Sequence, residues 1–322
     1  MNKRSAPLIG QLEITYKCNF RCPICYNSKV KRQELSTSQF KKLIDDFAAE
    51  GCFYINISGG EPLLRSDFFE LYQYCRQVGI RPSIESNGSI LTKKHLQLFT
   101  DYTPLIYHIT LYGVSDIAFC AATNAPRQFN NIVKENIARL KDAGINVHLR
   151  TPFSVFNYQD ADNMFEYCHE LGVPYTFNPL IWWDQDGRRL DQFRLSSGQL
   201  KSVDNGHPIF STLFAQIHKL EAGPSYSHSC RFGLDEFYVN PFGELHLCHN
   251  FWSTTYNLLE GSFKDAWHNW LPRFRHETGE WCISQKLSPV GKCPYGEIYF
   301  DSSMDPSLSL ETRLAIKGIS IS

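Results

Sequence analysis

From residue 11 to residue 180, short apolar runs alternate with amphipathic segments. QLEITY reads as a strand. STSQFKKLIDDFAAEG then offers Ser36 or Thr37 as an N-cap, sets Phe40, Leu43, Ile44 and Phe47 on one helical face, and stops at Gly51. The unit recurs. CFYINIS precedes a helix from about Asp67 to Val78, RPSIES one from Thr92, and LIYHITL one from about Phe129 to Ala143. INVHLRTPF precedes a helix around Asp160 to Leu171, and VPYTFNPL follows. Repeated strand-helix units predict an α/β fold with a parallel sheet, because parallel neighbours need crossover connections. The sheet is either an open doubly wound one or a curved, partial barrel, and in both the chemistry gathers at the carboxyl ends of the strands. Four segments fall there: a cysteine triplet after strand one, SGGEP after strand two, SNG after strand three and TLYG after strand four.

Beyond residue 180 the rhythm breaks. IWWDQDGRRLDQFRLSSGQL is an irregular connection, and LDEFYVNPFGELHLCHN reads as a two-stranded hairpin turning at Pro241 to Gly243. The predicted organisation is a catalytic sheet domain over 8–222, a small appended domain over 223–300 that holds the late cysteines, and a tail over 301–322 without a packing pattern.

Composition narrows the class. The 322 residues are 43% hydrophobic and 14% aromatic, enough to bury a large core. With 32 basic against 33 acidic residues and no Lys/Arg block to track a phosphate backbone, nucleic acid is not an expected partner. MNKRSAPLIGQLEITYK lacks the long apolar core and cleavage site of an export signal, and no apolar run is long enough to span a bilayer, so no membrane association is expected. The expected location is cytoplasmic, where thiols stay reduced and clustered cysteines hold metal or do redox chemistry rather than form disulfides.

The 11 cysteines therefore need sorting. Cys52, Cys75, Cys120 and Cys168 stand alone in apolar or helical contexts and read as buried packing. Cys18, Cys22 and Cys25 form C-x3-C-x2-C within YKCNFRCPICY. Zinc usually takes four ligands from C-x2-C pairs, and three thiolates fit it poorly. A four-iron cluster held through only three thiolates leaves one iron open to a further ligand.

This triplet resembles the signature of the radical S-adenosylmethionine (radical SAM) enzymes. The resemblance implies a partial (β/α)6 TIM-type barrel and a [4Fe-4S] cluster on Cys18, Cys22 and Cys25. It also implies S-adenosyl-L-methionine on the open iron, reductively cleaved to a 5′-deoxyadenosyl radical that abstracts a substrate hydrogen. SGGEPLL resembles the family's GGEP motif, which assigns Gly59, Gly60, Glu61 and Pro62 to the methionine amine. ESNG resembles its TNG segment, with Ser86 in place of Thr and Asn87 next, and ITLYG resembles the strand-four segment whose Thr110 faces the ribose. Arg150 on strand five suits the methionine carboxylate, since a guanidinium fork matches that group; Asn157 resembles an Asn of many relatives. One departure is Ile24 where an aromatic residue often precedes the third cysteine, with Tyr26 just after the triplet, so the adenine contact is expected to be apolar.

Cys230-x12-Gly243-x4-Cys248 resembles the opening of the SPASM and twitch extensions, which bind auxiliary iron-sulfur clusters. Only Cys282 and Cys293 follow, with Gly296 where relatives often carry another Cys, so the resemblance implies one auxiliary cluster on Cys230, Cys248, Cys282 and Cys293. Zinc on the same four is the alternative, and His228, His246 and His249 rank below the cysteines. The implied activity is modification of a ribosomally made peptide by oxidation, crosslinking or epimerisation. A small-molecule (sugar or aminocyclitol) dehydrogenase or epimerase is the alternative, and a noncatalytic metal-binding protein a further one. A low-potential donor such as flavodoxin or ferredoxin would supply electrons. An epimerase needs a thiol to return hydrogen, for which Cys282, Cys120 and Cys52 are candidates. Trp267 and the segment from Trp182 to Leu200 serve either a pocket or the core.

Overall fold

The computed structural model describes residues 6–27, 31–178, 181, 184–203, 233–246 and 255–272. Cys230, Cys248, Cys282 and Cys293, and with them the auxiliary-cluster expectation, lie outside the described residues.

Six strands, β1 (Ile9–Thr15), β2 (Tyr54–Gly59), β3 (Arg81–Ser86), β4 (Tyr107–Thr110), β5 (Val147–Pro152) and β6 (Tyr175–Asn178), pair in parallel, each with the next in sequence. A doubly wound sheet reverses its strand order at a switch point. Here the order runs from β6 to β1 without reversal, as in a TIM-type barrel. The crossovers are α1 (Thr37–Ala49), α2 (Phe68–Gln77), α3 (Lys93–Asp101), α4 (Asp116–Thr123), α5 (Gln128–Asp142) and α6 (Ala161–Leu171).

Local signals account for most of these elements. Ser36 caps α1 and forms a capping box with Gln39, the four apolar residues named above are its buried stripe, and Gly51 ends it in the left-handed region at φ +90°. Thr92 caps α3 in the same way, with His95 as the partner. α4 is an element that the apolar periodicity does not predict. Its sequence DIAFCAAT is short and nearly all apolar, so it shows no amphipathic stripe, and it rests on the Ser115 cap and a left-handed Asn124.

Side chains alternate across the sheet. Ile55, Ile57, Ile84, Tyr107, Ile109, Val147 and Leu149 are buried on the helix side, where Tyr107 meets Phe99 of α3 at 5.3 Å between ring centroids. The intervening residues, among them Asn56, Ser83, Glu85, His108, His148 and Arg150, are polar and line the inner face.

The late hairpin is β7 (Glu236–Val239) and β8 (Glu244–His246), followed by β9 (Thr255–Asn257). Its turn is held by the Asn240 side-chain carbonyl, which accepts the N–H groups of Phe242 and Glu244, and by Gly243 at φ +78°. β7 pairs in parallel with β1, from Ile9 opposite Glu236 to Leu12 opposite Val239, so the hairpin extends the barrel's own sheet. Phe237 and Phe263 close on Phe47 of α1, with centroids 4.6–4.8 Å apart. Trp267 is 3% exposed against this cluster and belongs to the core. Among the described residues, no helix is long and apolar enough to cross a membrane.

Candidate active site

The cysteine triplet occupies the loop that leaves the carboxyl end of β1. Phe20, inside the triplet, is its anchor: the ring is buried and meets Phe119, Phe129 and Tyr112 at 5.7, 5.6 and 6.2 Å. The backbone adds to this, with Arg21 N–H donating to Thr123 and Asn124 donating back to Arg21. α4 thus serves as the wall against which the loop is pinned. Cys18 is exposed, and Cys22 and Cys25 are half-buried.

The SGGEP turn packs directly beneath this loop. Gly60 and Glu61 donate their N–H groups to the carbonyls of Thr15 and Lys17 at 2.7 and 2.8 Å. A Cβ on Gly59, whose φ is +136°, would lie 2.1 Å from the Thr15 carbonyl oxygen, and one on Gly60 would lie 2.4 Å from that of Lys17. Both glycines are there because two backbones touch. Pro62 opens the short helical turn Pro62–Leu64.

Glu61 is fully buried and couples that turn to the end of β3. Its carboxylate accepts the Ser86 hydroxyl at 3.0 Å and the N–H groups of Asn87 and Leu63 at 2.8 and 3.2 Å. Burial pushes its pKa up to about 7, against the pull of those hydrogen bonds. Asn87 then reaches across to the triplet, donating to Asn19 at 2.9 Å and to the Cys18 sulfur at 3.7 Å. Asn19 in turn donates to Ser89.

Thr110 ends β4 opposite Arg150 of β5. The Tyr112 hydroxyl reaches Cys22, and Phe20 N–H points at Cys18 from 3.4 Å. Asn157, 1% exposed, ties the two strand ends together by donating to the carbonyls of Tyr112 and Pro152. Arg150 forms an ion pair with Glu85 and lies 3.1 Å from His108 Nε2.

Below the triplet, Glu13 of β1 is fully buried and takes the hydroxyls of Tyr26, at 2.8 Å, and Tyr238 of β7. Burial raises its pKa to about 7. Reading strands by apolar content misses Glu13, His108 and His148; the visible signal was a polar residue at every second strand position. Cys52 lies before β2, at the amino end, with its thiol directed at the Leu8 and Tyr54 carbonyls. That is about 20 Å from the strand's carboxyl end at ~3.3 Å per residue, so the fold separates Cys52 from the triplet. Cys120 is half-buried on α4.

A family model described as the radical SAM superfamily matches residues 12–177. The chain belongs to the radical SAM superfamily. This radical SAM chain is 26% identical over 295 residues to the mycofactocin maturase MftC of Mycolicibacterium smegmatis, covering 82% of the chain and 71% of that protein. It is 33% identical over 113 residues to the PqqA peptide cyclase of Bradyrhizobium diazoefficiens, covering 34% and 30%. Its fold matches that of Streptococcus suis SuiB bound to S-adenosylmethionine with a TM-score of 0.65 at 15% identity, covering 82% of the chain and 66% of SuiB. It matches anSMEcpe with bound AdoMet equally well, TM-score 0.65 at 14% identity, covering 96% and 95%.

Radical SAM enzymes use a [4Fe-4S] cluster and S-adenosylmethionine, and the residues here fit them. Three thiols share one loop, and N–H or O–H donors aim at two of the sulfurs. Without a cation, burial pushes Cys22 up to about 12, with the neighbouring thiols adding to the rise. Such a set ionises to thiolates in the field of bound metal.

Proposed function

We propose that this radical SAM enzyme modifies a ribosomally made peptide by oxidation, crosslinking or epimerisation. The observation that carries the reading is the similarity, along 82% of the chain, to a mycofactocin maturase. The peptide cyclase similarity, and the solution of SuiB with its precursor peptide SuiA, point the same way.

When bound, the cluster and S-adenosylmethionine supply a 5′-deoxyadenosyl radical that takes a substrate hydrogen. Cys18, Cys22 and Cys25 hold the cluster, and Asn87 and Tyr112 place hydrogen bonds on two of its sulfurs. The Gly59–Pro62 turn would receive the methionine amine through backbone carbonyls, because its Gly60 and Glu61 N–H groups are engaged with the β1 loop and an amine N–H needs an acceptor. Thr110 would face the ribose, while Ser86 holds the Glu61 carboxylate behind the turn. Arg150 takes the methionine carboxylate while Glu85 fixes its orientation. Cys230, Cys248, Cys282 and Cys293 hold an auxiliary cluster, and a flavodoxin or ferredoxin delivers electrons. For an epimerisation, Cys120 is the remaining hydrogen donor, or Cys282 where the auxiliary cluster does not take it as a ligand, because Cys52 sits at the wrong end of its strand.

A small hydroxylated substrate, a sugar or aminocyclitol, is the second reading, favoured by the polar inner face. The test is anaerobic reconstitution, then dithionite and S-adenosylmethionine with, in separate arms, any short peptide encoded beside the gene and a panel of sugars and aminocyclitols. Release of 5′-deoxyadenosine with loss of two hydrogens from a peptide, or with solvent deuterium gained by it, is the expected result. Release that responds only to sugars or aminocyclitols would overturn the peptide reading.

A further inference from the structure

The inner face of β2–β5 carries polar groups that the cofactor does not account for. Asn56 donates to Gln11 at 2.9 Å and to Glu85 at 2.5 Å, and Glu85 and Arg150 form an ion pair beside His108. The His108 and His148 rings lie 5.3 Å apart. Among the buried atoms of this face without a hydrogen-bond partner are Asn56 Oδ1, Ser83 Oγ and His148 Nε2. Asn56 and Ser83 are 3% and 1% exposed and sit opposite one another in the β2–β3 register. His148 faces His108, which faces Glu85. Leaving several buried polar atoms unpaired on one surface is costly, and natural proteins keep few of them.

The chemistry of the three atoms defines what would satisfy them. Asn56 Oδ1 only accepts, so a ligand must donate to it. Ser83 Oγ both donates and accepts. His148 is kept neutral, since burial and then Arg150 lower its pKa to about 4, and its Nε2 takes either role. A carboxylate has no donor for Asn56 Oδ1, and Arg150 of this face is already engaged by Glu85 and, on the reading above, by the methionine carboxylate. An ammonium would find that same Glu85 paired. An apolar group would leave all three atoms unpaired.

We propose that Asn56, Ser83 and His148 form a floor that binds an uncharged hydrogen-bonding group of the substrate, an amide or a hydroxyl. Ser83 precedes Ser86 at the strand end by three residues, about 10 Å at ~3.3 Å per residue. That is the reach of one side chain or one sugar ring entering from the cofactor end. The inference rests on the chain's having a substrate that enters the barrel, and it names the chemistry at the substrate's inner end.

The test uses the full chain, reconstituted and loaded with S-adenosylmethionine, with nitrogen-15 in its histidines. Acetamide and glycerol are titrated as probes of the two sources, and sodium acetate and methylammonium chloride as charged controls of similar size. The His148 signal is expected to shift saturably with a neutral probe and not with the charged ones. A stronger response to acetamide marks a peptide source, and one to glycerol marks a polyol. Ser83→Ala should weaken the neutral probe about five-fold, the worth of one hydrogen bond, and should melt no lower than the parent because it removes an unpaired hydroxyl. No saturable shift with either neutral probe would mean that ordered water alone fills the floor and would overturn the proposal, as would equal shifts with the charged probes. The titration does not require turnover, so a wild-type protein that fails to release 5′-deoxyadenosine would sink the enzymatic reading and leave this result standing.

Discussion

The two faces of the same four strands could hardly differ more. From β2 to β5 the helix side is mostly Ile, Val and Leu, with Tyr107, Pro82, Ser86 and Thr151, while the inner side is mostly Asn, Ser, Glu, His, Thr and Arg. Parallel strands covered on both faces ordinarily read as near-continuous apolar runs, and a closed TIM barrel fills its centre with branched side chains. Here the strands alternate. The outer face carries the packing that selects the fold, which frees the inner face to carry groups that packing alone would reject.

That division can be broken experimentally, beginning where the effect is largest. Cys22→Ala should reduce 5′-deoxyadenosine release to background and lower the iron content, while the cluster-free chain keeps its urea midpoint; a collapse of the midpoint would show that the mouth and the outer packing are not separable. Next come adjacent residues on opposite faces. Ile84→Ala should cost about 2–5 kcal/mol of stability in urea denaturation, whereas Ser83→Ala, equally buried, should cost nothing measurable or stabilise slightly. Equal losses would erase the distinction between the faces. Glu61→Gln leaves part of the Ser86, Asn87 and Leu63 donor set facing an amide, and should cost about 1–3 kcal/mol together with slower 5′-deoxyadenosine formation.

A further test, of the two buried acids, is in pH. Glu13 and Glu61 each hold a proton in the folded chain up to a pKa of about 7, against an ordinary 4.5. A raised carboxyl pKa means that the folded state binds the extra proton, so the contribution is complete below 4.5 and is lost as pH rises through 7. Urea midpoints of the wild type should fall across that window. Glu13→Gln should flatten the slope, and a slope left unchanged would place the titration elsewhere.

Features that depend on short stretches of chain were legible in the sequence. The C-x3-C-x2-C spacing, the capped amphipathic helices and the strand-end turns are each written within about a dozen residues. The order of the sheet, which decides between an open and a curved arrangement, is not local and came from pairing. Tyr238 is a partner of Glu13 across most of the chain, and Phe20 finds its place only when Phe119 and Phe129 arrive from other elements. α4 has no such local sign, because DIAFCAAT has no polar side to give it a period, although it forms the wall that holds the cysteine loop.

The pairing of β1 with β7 has a consequence for how the chain is made. β1 bears the cysteine loop, and one of its edges is completed only by residues around Glu236. On the ribosome the other five barrel strands are synthesised while that edge still shows unpaired N–H and C=O groups, the condition under which strands recruit wrong partners. The strand that begins the site is thus among the last to be sealed, and a chain interrupted before the hairpin should emerge as a sticky half-barrel with its cysteine loop on an open edge.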